Sequence, residues 1–466
     1  MKRVITLLAL SLSFVYVTPA SGAIKQGSSC SKINSKATVA GVKYTCVKSG
    51  KKLIWNKGVK PAKPQQSQQV DSKPAGAENS ESTSKPDTTP DPIVSDSSIY
   101  INSVQCKLAY TSPQLDQYIG FPRSERYAPS IGERKTIVLF VEFADLSADK
   151  KAIATWKNAQ IPVAKKALSR MSYGKYNLSV DVNEKIYQLP GSYKAFTRSE
   201  FVNIPGSTPA LGLEYGKFVA EAVKIADLDV DFSKYDFVNV VTPTFSPKAE
   251  GGATGGVGFN VDGKTSFLAT VGPIDEYVDD SLKDNWLLHE TGHILGLTHI
   301  YNFYSGTLGA WDPMGNVFGF DELHGWQRWY LNWIEDNQVL CMDQTAPKET
   351  THFISPLTTA TKETKSVMLK LSPTTALAIE VMRSTPENPY PKEHDGVIVY
   401  KVDTSLTGGQ GSISIVSNPG ERQPTKGGRA GIVGTLSVGQ TLFYENYSIR
   451  VLKSSARGDH VFIVKN

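Results

Sequence analysis

The stretch "WLLHETGHILGLTHI", from Trp286 to Ile300, carries three of the chain's seven histidines, at His289, His293 and His299. A helix turns by about 100° per residue, so His289 and His293, four apart, project from one face. Two imidazole nitrogens at that spacing suit a zinc ion. Glu290 is rotated by about one hundred degrees from His289 and can reach a water at the metal without itself being a ligand. Gly296 can adopt the left-handed conformation and end the helix, so that the chain turns back and brings His299 in as a third ligand. Three protein ligands leave a fourth position for water, as a catalytic zinc site requires. Trp286, Leu287, Leu288, Ile294 and Leu295 are read as packing, and Asp279, Asp280 or Ser281 as the cap of the helix.

The pattern HExxHxxGxxH in an exported chain resembles the metzincin metallopeptidases, whose signature also includes a methionine turn. By that resemblance His289, His293 and His299 are zinc ligands and Glu290 is the general base. Met314, in "WDPMGN", is the methionine beneath the metal. The gametolysin-like and immune-inhibitor-A-like peptidases are the most similar groups. The likeness extends to "FVEFADLS", "MSYGKYNLSVDV", "DVDFSKYDFV", "WQRWYLNWI" and "HDGVIVYKVD". "LNW" departs from the "LGW" common in those groups. His299 stands where the second group commonly has an acid, which favours the gametolysin-like side. The resemblance implies a secreted zinc endopeptidase with a substrate lying along the strand "KTSFLATV". Tyr301, Tyr304 and His324 are the nearest candidates for a second oxyanion donor. Two other readings remain open: a cell-surface binding protein on a peptidase-like scaffold, and a zinc amidase acting on peptidoglycan.

The remainder of the chain supplies the context. Its 466 residues suffice for two or three domains, and 40% hydrophobic with 20% charged residues fits a soluble protein. A net charge of +5, with no clustering of basic and aromatic residues, speaks against a nucleic-acid partner. Residues 1–23 place Lys2 and Arg3 before an apolar run and small residues, the order of a secretory signal peptide. The run is short for a membrane span, so no transmembrane anchor is expected in the mature chain. In an oxidising compartment the four cysteines should form two disulfides. Cys30 pairs most simply with Cys46, which leaves Cys106 for Cys341. The rival reading makes Cys106 a thiolate that blocks the metal in a latent precursor.

Residues 24–58 form a small cysteine-containing module with strands at "VKYTCV" and "KLIW". Its lysines could touch an acidic cell-wall polymer or simply face solvent. Residues 59–98, rich in Pro, Ser, Gln and Lys, read as a disordered linker. Over 99–345, apolar runs such as "KTIVLFVEF", "YNLSVDV", "YDFVNVVTP" and "TSFLATV" read as strands. They alternate with helices at "ATWKNAQIPVAKKALSRMSYG", ending at Gly174, and at "LGLEYGKFVAEAVKIAD", with Leu213, Phe218, Ala222 and Ile225 near one face. This predicts an α/β (α+β) metzincin-like catalytic domain. The Gly-rich segment Gly251–Gly258 reads as a surface loop. From 346 to 466, short strands recur between turn residues and predict an all-β sandwich-like domain. The acidic runs "DLDVDFSKYD" and "DEYVDD" raise structural calcium, although neither has the EF-hand spacing.

Overall fold

The computed structural model describes residues 28–30, 35–39, 42–49, 52–55, 99–111, 119–148, 150–196, 211–212, 215–242, 249–250, 259–273, 286–300, 311–315, 320–390, 392–418 and 434–466. The signal peptide, the linker, the Gly251–Gly258 loop, the helix cap at 279–281, Leu213, "DEYVDD", Tyr301 and Tyr304 lie outside them. Two compact units divide between Asp87 and Thr88. In the first, strands β1 (Lys36–Val39), β2 (Val42–Ser49) and β3 (Lys52–Trp55) form an antiparallel sheet, and Cys30 is bonded to Cys46. The expected pair is β2 and β3; β1 is added to it.

The second unit has mixed α/β content. Strands β4 (Gly132–Glu142) and β5 (Tyr176–Gln188) are joined by helix α1 (Lys150–Thr155), a π turn over Trp156–Gln160, and helix α2 (Ile161–Met171). The chain leaves α2 through Tyr173 at φ 55° and Gly174 at φ 77°. The left-handed exit therefore begins one residue before the glycine expected to make it. Next come β6 (Leu211–Gly212), α3 (Tyr215–Ala226), β7 (Phe237–Thr242), β8 (Ala249–Glu250), β9 (Phe259–Val261) and β10 (Lys264–Pro273). The principal sheet has the order β5-β4-β7-β10-β9, with β9 antiparallel to β10 and every other pairing parallel.

Strand alternation sorts the apolar residues of β4 onto two faces. Ile137, Leu139 and Val141 pack with Phe218, Val219 and Ala222 of α3. Val138 and Phe140 face a second core built on α2 and on helix α4 (Trp286–Ile294). Burial on both faces is why β4 reads as a continuous apolar run.

Helix α5 (Gly325–Tyr330) leads into β11 (Val339–Met342), β12 (Glu349–Ile354), β13 (Ser366–Lys370), β14 (Thr375–Met382), β15 (Gly396–Asp403) and β16 (Ile413–Ile415). The chain closes with β17 (Thr435–Leu436), β18 (Thr441–Tyr444), β19 (Tyr447–Ser455) and β20 (Gly458–Lys465). They form one sheet in the order β11-β13-β14-β15-β16, with β17 on β15, and another in the order β12-β20-β19-β18. A third core, including Val367, Ile379, Val399, Ile449 and Val461, draws on both sheets. The opposite face of β14 and β15, with Ala376, Ala378, Ile398 and Tyr400, joins the core that contains α4. The hydrophobic core thus runs across the expected boundary at 345/346.

Cys106 is bonded to Cys341, with Ile101 donating its N–H to the Cys341 carbonyl at 3.0 Å. This corrects the reading of Cys106 as a metal-blocking thiolate, since its sulfur is committed to a closure spanning 235 residues. Strand β10, which the resemblance makes the sheet edge that seats a substrate, is an edge over only part of its length among the described residues. β9 covers β10 at Lys264 and Phe267, so β10 is internal there. Over Leu268–Pro273 its one partner strand among the described residues is β7.

Candidate metal centre

Helix α4 ends in a hydrogen-bonded C-terminal motif. The Gly296 N–H donates to the His293 carbonyl at 2.9 Å, and the Leu297 N–H to the Gly292 carbonyl at 2.8 Å. Gly296 has φ 91°, and a Cβ there would lie 2.6 Å from Tyr127 Cδ2. Both conformation and space therefore require glycine. The start of α4 is held by Gln160, from the π turn, whose Oε1 accepts the Leu287 N–H at 3.3 Å.

The reversal at Gly296 brings the three imidazoles together. Their Nε2 atoms lie 3.1 Å (His289–His299), 3.1 Å (His289–His293) and 3.2 Å (His293–His299) apart. Nδ1 of His289 is 2.7 Å from the Pro313 carbonyl, and Nδ1 of His293 is 2.7 Å from the Leu297 carbonyl. A carbonyl only accepts, so these contacts place the proton on Nδ1 and leave Nε2 with a bare lone pair. Such lone pairs facing one another call for a cation between them. A point about 2.0–2.1 Å from all three nitrogens, the usual zinc–nitrogen distance, lies on the order of 1 Å out of their plane. The residues present therefore fit a metal ion with three nitrogen ligands. They form the one group of three potential ligands among the described residues.

Burial also keeps the rings neutral, the form that binds metal. It pushes His289 down to about 3, with His293 adding to the effect, and His293 down to about 4. His299 falls well below the usual range through burial and the two neighbouring histidines. Glu290 follows His289 on the helix and is itself buried. Met314 is fully buried against α4, where a Cβ on Gly292 would collide with its sulfur.

The turn carrying Met314 depends on Asp312, whose Asp-Pro step marks a turn in the sequence but whose more distant partners have no local sign. Asp312 sits at φ 93° and is fully buried. Its Oδ1 accepts the Met314 N–H at 2.8 Å and Gln327 Nε2 at 3.3 Å, while Oδ2 accepts the His324 N–H at 3.1 Å. Burial pushes its carboxyl up to about 7, against the pull of those donors. The turn presents the neighbouring Pro313 carbonyl to His289. Beyond it, Glu380 of β14 accepts the Gly325 N–H at 3.0 Å, and Tyr400 of β15 accepts the Trp326 N–H at 3.1 Å while donating to Glu380. Burial raises Glu380 to about 7 as well. The only local sign of these residues was a carboxylate within the apolar run "ALAIEVM".

His324 is buried at the start of α5, with its ring 4.5 Å from that of Tyr400. This places it in the packing beneath the turn. Three of the four acids of 227–236 have partners within the protein. Asp229 pairs with Lys185, Asp231 accepts the Ser233 N–H, and Asp236 accepts the Lys135 N–H. Fold and site together define a disulfide-bonded α/β protein with a three-histidine group able to hold a metal. No protein-family model matches the sequence, and no curated protein matches it.

Proposed function

We propose that the chain is a zinc-dependent endopeptidase of the metzincin type, closest in character to the gametolysin-like group. The observation that carries this reading is the convergence of three Nε2 atoms at 3.1–3.2 Å, with Glu290 adjacent on the same helix. His289, His293 and His299 would hold the zinc. Zinc bound there supplies a lowered pKa for water and polarises a peptide carbonyl. Glu290 accepts the proton of the attacking water and returns one to the leaving amine. The buried surroundings of Glu290 keep that exchange from being screened by bulk water. The outer edge of β10 over Leu268–Pro273 offers backbone groups to an extended peptide, with side-chain choice left to flanking pockets. Two disulfides suit work in an oxidising, extracellular compartment.

The test uses the full chain, casein as substrate, a chelator and the variant Glu290→Gln. The proposal expects cleavage that the chelator abolishes. It expects Glu290→Gln to bind zinc as the wild type does but cleave about 10²–10⁴-fold more slowly. A zinc-loaded wild type that leaves casein and other unfolded proteins intact would overturn the peptidase reading. Release of peptidoglycan peptides in their place would favour the amidase.

A further inference from the structure

The third histidine stands on the least regular part of the site. Leu297–Ile300 follows the end of α4 and belongs to neither helix nor strand. Three ties come from nearby: the Leu297 N–H to the Gly292 carbonyl at 2.8 Å, His293 Nδ1 to the Leu297 carbonyl at 2.7 Å, and the Ile300 N–H to the Met314 carbonyl at 3.4 Å. A further tie comes from more than a hundred residues along the chain. Gly409 donates its N–H to the carbonyl of His299 itself, at 3.0 Å.

Gly409 belongs to the loop that joins β15 to β16, and that loop is internally braced. The Asp403 N–H donates to the Ser412 carbonyl at 2.8 Å and closes its base. Thr404 is fastened to the Thr374 carbonyl through its N–H at 2.8 Å and to the Ala109 carbonyl through its Oγ1 at 2.7 Å. At the tip, Gln410 Oε1 accepts the Thr407 N–H at 2.9 Å, and the Gln410 N–H donates to the Thr407 carbonyl at 3.1 Å. Gly409 and Gly411 both occupy the left-handed region, at φ 78° and 80°. A loop fixed at its base and tip holds its N–H groups in place.

We propose that this loop is a positioning device for the metal centre, in which Gly409 orients the peptide of His299. Its Nε2 then stays in register with His289 and His293. The inference rests on the metal-binding reading above. It makes the C-terminal sheets a contributor to metal affinity, although no ligand comes from them. The His299 backbone lies outside helix and strand, so a hydrogen bond to its carbonyl is a direct restraint on that peptide. Partners that hydrogen-bond the side chains of metal ligands typically account for 10–100-fold in metal affinity, and a restraint on the ligand's own peptide is taken to act within about that range.

Two variants of the full chain, Gly409→Pro and Gly411→Pro, test the idea. Both force proline on a left-handed position of one loop, but only the first removes the donor to His299. Zinc affinity is measured by competition with a chromophoric chelator, and ligand geometry by the visible spectrum of the cobalt(II)-loaded protein. Gly409→Pro should weaken zinc by about 10–100-fold and shift the cobalt bands. Gly411→Pro keeps the donor but disturbs the loop that aims it, and should weaken zinc by a smaller, several-fold amount. Wild-type zinc affinity in Gly409→Pro, or a loss there no larger than that of Gly411→Pro, would overturn the proposal. If Gly409→Pro does not fold, Gln410→Ala, which removes the acceptor of the Thr407 N–H, takes its place. A several-fold loss of zinc affinity there supports the proposal, and wild-type affinity overturns it. A wild-type chain that binds no zinc would instead overturn the underlying metal reading.

Discussion

The segment Trp286–Ile300 and the floor beneath it solve one problem in different ways. In the first, helix spacing and one glycine bring three imidazoles together within fifteen consecutive residues. In the second, Asp312, Gln327, Glu380 and Tyr400 come from a turn, a helix and two strands, and meet through buried hydrogen bonds. The ligands are set locally, whereas what orients them is set by tertiary structure. Pro313 shows the dependence: its carbonyl fixes the His289 tautomer only because Asp312 holds the turn.

Substitution on each side should separate the two contributions. His293→Ala removes a ligand and should lower zinc affinity by more than about 100-fold, beyond the range of supporting partners. Asp312→Gly keeps the left-handed backbone but removes the carboxylate. It should cost about 10–100-fold in zinc affinity while leaving all three ligands in the chain. Chelator competition reads both. If Asp312→Gly binds zinc as tightly as the wild type, the floor does not orient the site.

This contrast also explains what could be read in advance. The three histidines, Glu290, Gly296 and Met314 lie in short patterns whose spacing carries the geometry. Strands β4, β7, β10 and most of those after residue 365 were legible from apolar runs. Asp-Pro before Met314 marks a turn, but the ties of the Asp312 carboxylate to Gln327 and His324 gave no such sign, because those partners lie twelve or more residues away in sequence. β9 is not legible because three residues carry too little periodicity, so nothing in the sequence marks where β10 stops being an edge. The continuity of core between residues 99–345 and β14–β15 was hidden because burial on two faces looks the same as burial on one in a run of apolar residues.

The smallest expected effect concerns pH, and it again sets the two regions against each other. In the metal-free chain His289, His293, His299, His324 and His352 are all held below the usual histidine range by burial. The unfolded chain takes up these protons near pH 6.5, and the folded chain only near 3–4 for those with a stated value. Stability from these groups is therefore complete above about 6.5 and is lost as pH falls below it. Asp312 and Glu380, raised to about 7, act in the opposite sense over the same range, because their stabilisation is complete below about 4 and fades as pH rises from there to about 7. The histidines outnumber the acids. Denaturant melts of the metal-free chain should show stability rising between about pH 4.5 and 6.5. A flat or falling profile would mean that the histidines are not buried as neutral rings.

The most direct test of the central claim is X-ray absorption at the zinc edge of the full chain loaded with one equivalent of zinc. Three nitrogen ligands at about 2.0–2.1 Å with one further oxygen, and no sulfur, are expected. In His293→Ala one nitrogen should be lost. Sulfur in the shell, or a wild-type spectrum retained by His293→Ala, would contradict the assignment of His289, His293 and His299 as the metal site.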